Sequence, residues 1–268
     1  MKNDIMEKAR SLLTCPYCLE TSPGELSWES PFRDLLVCDG CHREFPIVDG
    51  IIDFIPDVNS SKGFAQRFLE HQPIATAYEK HFRPAFTRLG SSMTYSEEIK
   101  WLQEVPMAVT PKYALDVGCG TGKYTRLLDE IYHPDIIFGA DISLPLLEAA
   151  NANKSPNMVY IRCDVNCLPF KPQVLSRVNC FGALQLFPDI HKSLSEMRRV
   201  LALSGCFTCM TSRNIQGWHA WIQSFFSSLF SFHFFEDAQL EKLLAEAGYI
   251  NVHLFERAMV ILFFGYAG

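Results

Sequence analysis

The stretch ALDVGCGTG, residues 114–122, decides the fold of the larger part of this chain. It lies between a strand-like and a helix-like segment, and glycines stand at every second position from Gly118 to Gly122. Such a loop lets a ligand approach the backbone closely, because glycine has no side chain. The spacing differs from the G-x-G-x-x-G of dinucleotide-binding folds. The loop has no basic residue, so it favours a ligand without phosphates, and Asp116 suits one with cationic groups.

Strands and helices alternate along the chain from Tyr113 onward. Strands are predicted at 114–117, 136–141, 158–163, 174–181 and 206–211, and helices from Lys123, Pro145 and Ile190. An amphipathic helix at 237–248 precedes two final strands, which we expect to pair as an antiparallel hairpin. This order predicts an α/β fold with a Rossmann-like, seven-stranded, mostly parallel sheet and helices on both faces.

A small zinc-ribbon domain is predicted in front of this core. Proline and glycine break residues 12–57 into short strands and turns, which carry two C-x2-C pairs. Four thiolates form the tetrahedral shell that zinc prefers, and because they leave no position open for water, the Zn²⁺ would be structural. Buried free thiols are the alternative. The predicted ligands are Cys15, Cys18, Cys38 and Cys41, and the six cysteines from Cys119 to Cys209 are expected to be core thiols.

Charge and composition limit the domain organisation and the partners. A polar linker at 59–63 divides the chain into a ribbon (1–58), a linker with a helical cap (59–111) and the core (112–268). Residues 1–60 hold eleven acidic and five basic residues, which disfavours nucleic acid as a partner without excluding it. No signal peptide or transmembrane segment is predicted, so we expect a cytoplasmic protein. The sequence does not predict the oligomeric state.

Two further carboxylates follow predicted strands. Asp141 ends the second strand of the core, where an acidic side chain can accept hydrogen bonds from both ribose hydroxyls of a nucleoside. A helix N-terminal Asp is the alternative interpretation of this residue. Asp164 follows the third strand and precedes an apolar Leu-Pro-Phe run.

Several motifs resemble those of class I S-adenosylmethionine-dependent methyltransferases of the type 11 kind. They are LDVGCGTG, GADIS, RCDVNCLPF, NCFGALQLFPD and EMRRVLALSGCF, and the resemblance covers roughly residues 64–268. It implies S-adenosylmethionine as cofactor. It implies that Asp116 and Gly118 contact the methionine part, that Gly120 and Gly122 shape the turn, and that Asp141 holds the ribose. It also implies that Asp164 and Val165 bind adenine, that Phe181 lies against the methyl donor, and that Ile142 belongs to the cofactor site.

The front segment has a resemblance of its own. LTCPYC, LLVCDGC and REFPIVDGIIDFIPD resemble small zinc-ribbon proteins that activate methyltransferases, so such a module would act in cis here. Together with FAQRFLEHQPIATAYEKHFRP, the whole chain is similar to ribbon-plus-methyltransferase proteins of bacteria and plastids. Two departures stand out: Ser176 replaces an acidic residue of the family, and residues 203–205 replace a Pro-Gly-Gly turn.

The sequence predicts methyl transfer to a small-molecule acceptor. The aromatic stretch 217–235 suggests a hydrophobic or aromatic acceptor, although core packing, a dimer contact or a membrane-facing surface are alternatives. No catalytic residue is assigned, because a base is optional; the candidates for a base by location are His191, His219 and His233. Tyr78 and Arg83 in the helical cap are candidates to close over the cofactor and acceptor, with helix packing as the alternative. An rRNA guanine methyltransferase and a non-catalytic cofactor-binding or activator protein are the alternative functions.

Overall fold

The structure is a computed structural model that describes residues 2–19, 24–29, 34–56, 93–107, 110–215, 223 and 232–268. These residues contain the α-helices α1 (Lys2–Leu12), α2 (Tyr95–Glu104), α3 (Lys123–Tyr132), α4 (Leu144–Asn151), α5 (Ile190–Val200) and α6 (Asp237–Glu246). They also contain the strands β1 (Leu26–Trp28), β2 (Leu35–Cys38), β3 (Glu44–Val48), β4 (Ile51–Asp53), β5 (Tyr113–Val117), β6 (Ile136–Asp141), β7 (Met158–Arg162), β8 (Leu175–Phe181), β9 (Leu201–Ser212), β10 (Tyr249–Arg257) and β11 (Val260–Ala267).

The predicted core sheet is confirmed. Its seven strands lie in the order β7-β6-β5-β8-β9-β11-β10, and only β11 runs antiparallel to its neighbours. The last two strands form the expected hairpin. The parallel strands read as continuous apolar runs because both faces of the sheet are covered.

The helices cover the two faces of this sheet in separate groups. Leu102 of α2, Leu127 of α3 and Leu147 of α4 belong to one buried cluster. Leu194 of α5 and Leu240 of α6 belong to the other. The amphipathic faces of the helices thus supply the burial that a parallel sheet requires.

The ribbon strands extend the core sheet, which therefore has eleven strands rather than seven. Strand β4 pairs in parallel with β7, and β3, β2 and β1 follow outward as antiparallel neighbours. The sequence did not indicate this continuity, because Ile51–Asp53 is too short to be read as a sheet strand. The predicted divisions at 58 and 111 stay predictions, and 57–92 lies outside the described residues.

Helix α1 was not predicted. Its charged residues interrupt the apolar ones, but Ala9 and Leu12 are buried in the same cluster as α5 and α6. The segment after α1 also bridges Leu13 to Phe170 of the core. None of the helices in the described part of the chain is long and apolar enough to cross a bilayer.

Candidate functional site

The predicted cofactor residues meet at one edge of the sheet. Asp116, Asp141 and Phe181 lie at the carboxyl ends of β5, β6 and β8, and Asp164 follows β7 by two residues. Because these four strands are parallel neighbours, their carboxyl ends point the same way. Ligands of open α/β sheets bind in the crevice at this edge.

The glycine loop leaves room for a ligand at one position. Gly118, Gly120 and Gly122 all have positive φ, between 55° and 75°, a conformation that favours glycine. A Cβ added at Gly118 would lie 2.3 Å from Cβ of Ala183, and one at Gly122 would lie 2.5 Å from Oη of Tyr160. A Cβ added at Gly120 would meet nothing within 4 Å. Two glycines therefore allow tight packing, and Gly120 faces open space.

Asp116 lies beneath this loop and is 2% exposed. One carboxylate oxygen accepts a hydrogen bond from Oγ1 of Thr125 at 2.7 Å, and the other from Nδ2 of Asn179 at 2.7 Å. Oδ1 of Asn179 in turn accepts from Oγ1 of Thr208 at 2.9 Å. A buried carboxylate needs such donors, and here they fix the end of β5 under the glycines.

Asp141 connects the turn after β6 to the glycine loop. Its Oδ2 accepts a hydrogen bond from the backbone N–H of Gly120 at 2.8 Å, and its Oδ1 accepts from N–H of Ser143 at 2.9 Å. Each carboxylate oxygen has a second lone pair, so both can also accept hydrogen bonds from hydroxyls of a ligand. Ile142 lies half-buried between these two contacts.

Asp164 begins the segment predicted to bind adenine. Its Oδ1 accepts a hydrogen bond from N–H of Asn166 at 2.8 Å and caps a 3₁₀ turn, Val165–Cys167. Asp164 and Val165 are both half-buried, whereas Leu168 and Phe170 are fully buried. The polar start of the segment thus faces the crevice edge while its apolar end is anchored in the core.

Helix α5 holds this segment through two residues that sequence analysis missed. Glu196 Oε2 accepts a hydrogen bond from N–H of Leu168 at 2.9 Å. Arg199 donates to the carbonyl of Leu168 at 2.8 Å and to that of Phe170 at 2.7 Å. Both residues belong to the EMRRVL motif, but only the fold brings that motif beside residues 168–170.

Aromatic side chains line the far side of the glycine loop. The Phe181 ring lies 4.8 Å from that of Tyr124 and 6.0 Å from that of Trp101, measured between centroids. Tyr124 donates a 2.6 Å hydrogen bond to buried Glu98 of α2.

In the glycine loop itself, burial raises the pKa of the Cys119 thiol well above its ordinary value. Cys119 is therefore a neutral thiol rather than a nucleophile.

The residues predicted to act near the methyl acceptor, as a base or as part of the acceptor site, have different surroundings. His191 is exposed on α5. His233 is exposed beside the carboxyl end of β9: its N–H donates to the carbonyl of Gln185 at 2.9 Å, and its carbonyl accepts from Oγ of Ser212. Phe232 and Phe234 flank it, with ring centroids 5.0 Å apart. The other candidates, His219, Tyr78, Arg83 and most of the aromatic stretch, lie outside the described residues.

The four predicted zinc ligands form one cluster. Their sulfur atoms all lie within 4.8 Å of one another, with Sγ–Sγ distances of 3.7 Å between Cys15 and Cys41 and 3.9 Å between Cys18 and Cys38. Zn–S bonds of about 2.3 Å in a tetrahedron place the sulfurs about 3.8 Å apart. The cysteine cluster thus fits a zinc ion. Burial raises the pKa of the Cys15 thiol, so this thiol is protonated without a metal, and zinc would displace the proton on binding. Of the other six cysteines, all but Cys167 are buried, as expected.

Residues 115–209 match a family described as a methyltransferase domain. The demethylmenaquinone methyltransferase of Thermus thermophilus is 27% identical over 128 residues, which are 46% of this chain and 58% of that protein. The demethylmenaquinone methyltransferase of Lactiplantibacillus plantarum is 24% identical over 201 residues, which are 63% of this chain and 85% of that protein.

Similar folds occur among solved structures. One is the complex between the Haloferax volcanii Trm112 methyltransferase activator and a methyltransferase, with a TM-score of 0.59 and 17% identity. The match covers 78% of this chain and 99% of that one. The domain match and this fold agree with the class that the motifs indicated.

Proposed function

We propose that this S-adenosylmethionine-dependent methyltransferase transfers a methyl group to a small hydrophobic or aromatic acceptor. The observation that carries the proposal is the open space above Gly120, with Asp141 on one side and Asp164 at the end of the adjacent strand. This is the shape and polarity that a nucleoside with a cationic tail requires.

Each residue of the cofactor site has a role in this proposal. Asp141 would accept hydrogen bonds from the ribose hydroxyls while its contacts with Gly120 and Ser143 hold it still. Asp164 and Val165 would bind the adenine. Asp116 would act through the glycine loop that it supports, because both its oxygens accept buried hydrogen bonds. Gly118 and Gly122 would keep that loop close to the sheet.

The reaction needs positioning more than acid or base chemistry. When bound, S-adenosylmethionine supplies an electrophilic methyl group on a good leaving group, so orienting the two reactants supplies much of the acceleration. Phe181 and Tyr124 would form an apolar wall that excludes water near the transferred group. Among the histidines in the described part of the chain, His233 is the best placed to take a proton from an acidic acceptor, since it lies at the same edge of the sheet.

The nature of the acceptor rests on the aromatic residues at this edge. Phe232 and Phe234 lie beside His233, and both belong to the aromatic stretch 217–235 of the sequence. Two relatives are named for demethylmenaquinone, a molecule with an aromatic ring system and an apolar tail. A ring that carries an ionisable hydroxyl suits an apolar wall with one nearby base. We therefore propose a quinol-like or phenolic acceptor.

The ribbon would hold one structural Zn²⁺ through Cys15, Cys18, Cys38 and Cys41. Four thiolates fill the tetrahedral shell, so the metal would stabilise the fold and take no part in methyl transfer.

A direct test of the acceptor uses S-adenosylmethionine with a labelled methyl group. The purified chain would be incubated with a reduced short-chain demethylmenaquinone, with a simple phenol and with an rRNA fragment, beside an Asp141→Ala variant. We expect label in the quinol or the phenol and at least tenfold less with the variant. Label in the RNA alone would favour the guanine methyltransferase alternative. Cofactor binding without any label would favour a non-catalytic protein.

A further inference from the structure

The ribbon contacts the core at the segments that would hold the nucleoside. Residues 12–14, which directly precede the zinc ligand Cys15, pair with residues 169–171: N–H of Thr14 donates to the carbonyl of Pro169 at 3.1 Å, and N–H of Lys171 donates to that of Leu12 at 3.0 Å. The last residue of the 3₁₀ turn in the predicted adenine segment also contacts the ribbon, because Sγ of Cys167 donates to the carbonyl of Pro16 at 2.9 Å.

A second contact reaches the turn after β6, residues 141–143, through Arg162, the last residue of β7. Its Nη1 lies 2.9 Å from Oδ2 of Asp53 in β4 and also donates to the carbonyl of Ile55 at 3.3 Å. Its Nε donates to the carbonyl of Ile142 at 3.2 Å. Arg162 and Asp53 are 9% and 7% exposed, so solvent screens the pair little.

These contacts form a continuous chain from the ribbon to the glycine loop. Asp53 is itself held, because its Oδ1 accepts a hydrogen bond from N–H of Ile55 at 2.9 Å. Ile142 lies between Asp141 and Ser143, and the N–H of Ser143 donates to one oxygen of the Asp141 carboxylate. The other oxygen of that carboxylate holds N–H of Gly120. An arginine suits the middle of the chain, since its planar guanidinium donates to several acceptors at once.

We propose that the ribbon is a built-in support for the nucleoside half of the cofactor site, with Arg162 as the positioning residue that carries this support to the turn after β6. The inference rests on the proposed cofactor site. It adds that zinc affinity and cofactor affinity are linked, because the residues beside the zinc ligand Cys15 contact residues 167–171 of the nucleoside half directly. Its contacts with Asp53, Ile55 and Ile142 place Arg162 between the ribbon and the turn after β6.

The test compares two variants that each remove one positive charge between the front segment and the core. Arg162→Met breaks the contact beside the cofactor site. Lys8→Met breaks the 2.8 Å ion pair of Lys8 with Asp135, which precedes β6 at the opposite edge of the sheet. Calorimetric titration with S-adenosylmethionine should show affinity about tenfold weaker for Arg162→Met, the usual size of coupling between contacting residues, and unchanged for Lys8→Met. Both variants should keep the zinc content of the natural chain.

Equal affinity of both variants and the natural chain would overturn the role of Arg162. If the natural chain binds no S-adenosylmethionine while folded, the proposed cofactor site itself is wrong. If Arg162→Met does not fold, Asp53→Asn replaces it: this change keeps an oxygen for N–H of Ile55 but removes the charge that faces Arg162. Its affinity should also fall, and an unchanged affinity would again contradict the inference.

A second measurement follows zinc instead of the cofactor. Competition with a coloured chelator gives the zinc affinity of the full chain with and without saturating S-adenosylmethionine. Because linkage is reciprocal, the cofactor should tighten zinc binding. We expect the effect in the natural chain and in Lys8→Met, and a smaller one in Arg162→Met. The same increase in zinc affinity on addition of S-adenosylmethionine in all three chains would show that Arg162 does not connect the two sites.

Discussion

Gly24 and Gly40 lie beside the same zinc cluster but have different surroundings. A Cβ added at Gly24 would stand 2.3 Å from Sγ of Cys38 and 3.3 Å from Cβ of Cys15. A Cβ added at Gly40 would stand 3.8 Å from the nearest sulfur, which is ordinary van der Waals contact. Of these two positions, only that of Gly24 requires a glycine, because a side chain there would collide with a cysteine sulfur.

Gly24→Ala should accordingly displace Cys38 and weaken zinc binding by about tenfold or more, since overpacking costs about 1–3 kcal/mol. Gly40→Ala is the matched control and should keep full zinc occupancy. Zinc content after dialysis against a weak chelator measures both. Equal retention by the two variants would mean that the ribbon tolerates a shifted Cys38 and that the packing at Gly24 is not decisive.

Ser176 makes two hydrogen bonds at the position where the methyltransferase resemblance leads us to expect an acidic residue. Its Oγ accepts hydrogen bonds from N–H of Lys112 at 3.0 Å and of Tyr113 at 3.2 Å. These contacts join the start of β8 to the start of β5. An acidic side chain could accept hydrogen bonds from the same two donors.

Helix α1 shows why an element can escape sequence analysis and still matter. Its apolar residues are few, and the helix would be marginal in isolation. In the fold, Ala9 and Leu12 pack against the sheet, and Leu13 continues the contact through its bridge to Phe170. Tertiary burial therefore decides the conformation of this segment, and local propensity does not.

Leu13→Ala should lower the free energy of unfolding by about 2–5 kcal/mol, because it opens a cavity at a side chain with no exposure. Ser11→Ala, at an exposed position of α1, is the control and should change stability by less than about 0.5 kcal/mol. Chemical denaturation of the full chain measures both. A small effect of Leu13→Ala would mean that α1 packs only loosely on the core.

The elements that sequence analysis predicted well are those with strong local signals. The apolar runs of β6 and β7 and the alternation of helices and strands predicted the core, and the C-x2-C pairs predicted the cysteine cluster. The pairing of β4 with β7 has no such signal, since the sequence of a three-residue strand does not indicate which strand it pairs with. The same holds for Glu196 and Arg199, whose contacts with residues 168–170 exist only once α5 has packed on the sheet.

The whole molecule is organised around one continuous sheet. The cysteine cluster lies at one end of it, and the proposed cofactor site lies at the carboxyl edge of its central strands. The buried cluster on one face joins residues of α1, the ribbon and the core. A change in the ribbon is therefore expected to reach the cofactor site through packed residues and the buried pair of Arg162 with Asp53, rather than through a flexible tether.

Calorimetric titration of the purified, zinc-loaded chain tests whether the crevice above Gly120 binds S-adenosylmethionine. Gly120→Ala places a methyl group in the open space at a φ of 55°, whereas Gly248→Ala introduces an alanine at a φ of 85° near Arg198, away from the crevice. Each variant should lose about 1 kcal/mol of stability from backbone strain. We predict one binding site per natural chain, the same affinity for Gly248→Ala, and binding at least tenfold weaker for Gly120→Ala and for Asp141→Ala. No heat of binding from a folded natural chain, or equal affinity in all four proteins, would exclude a cofactor site above Gly120.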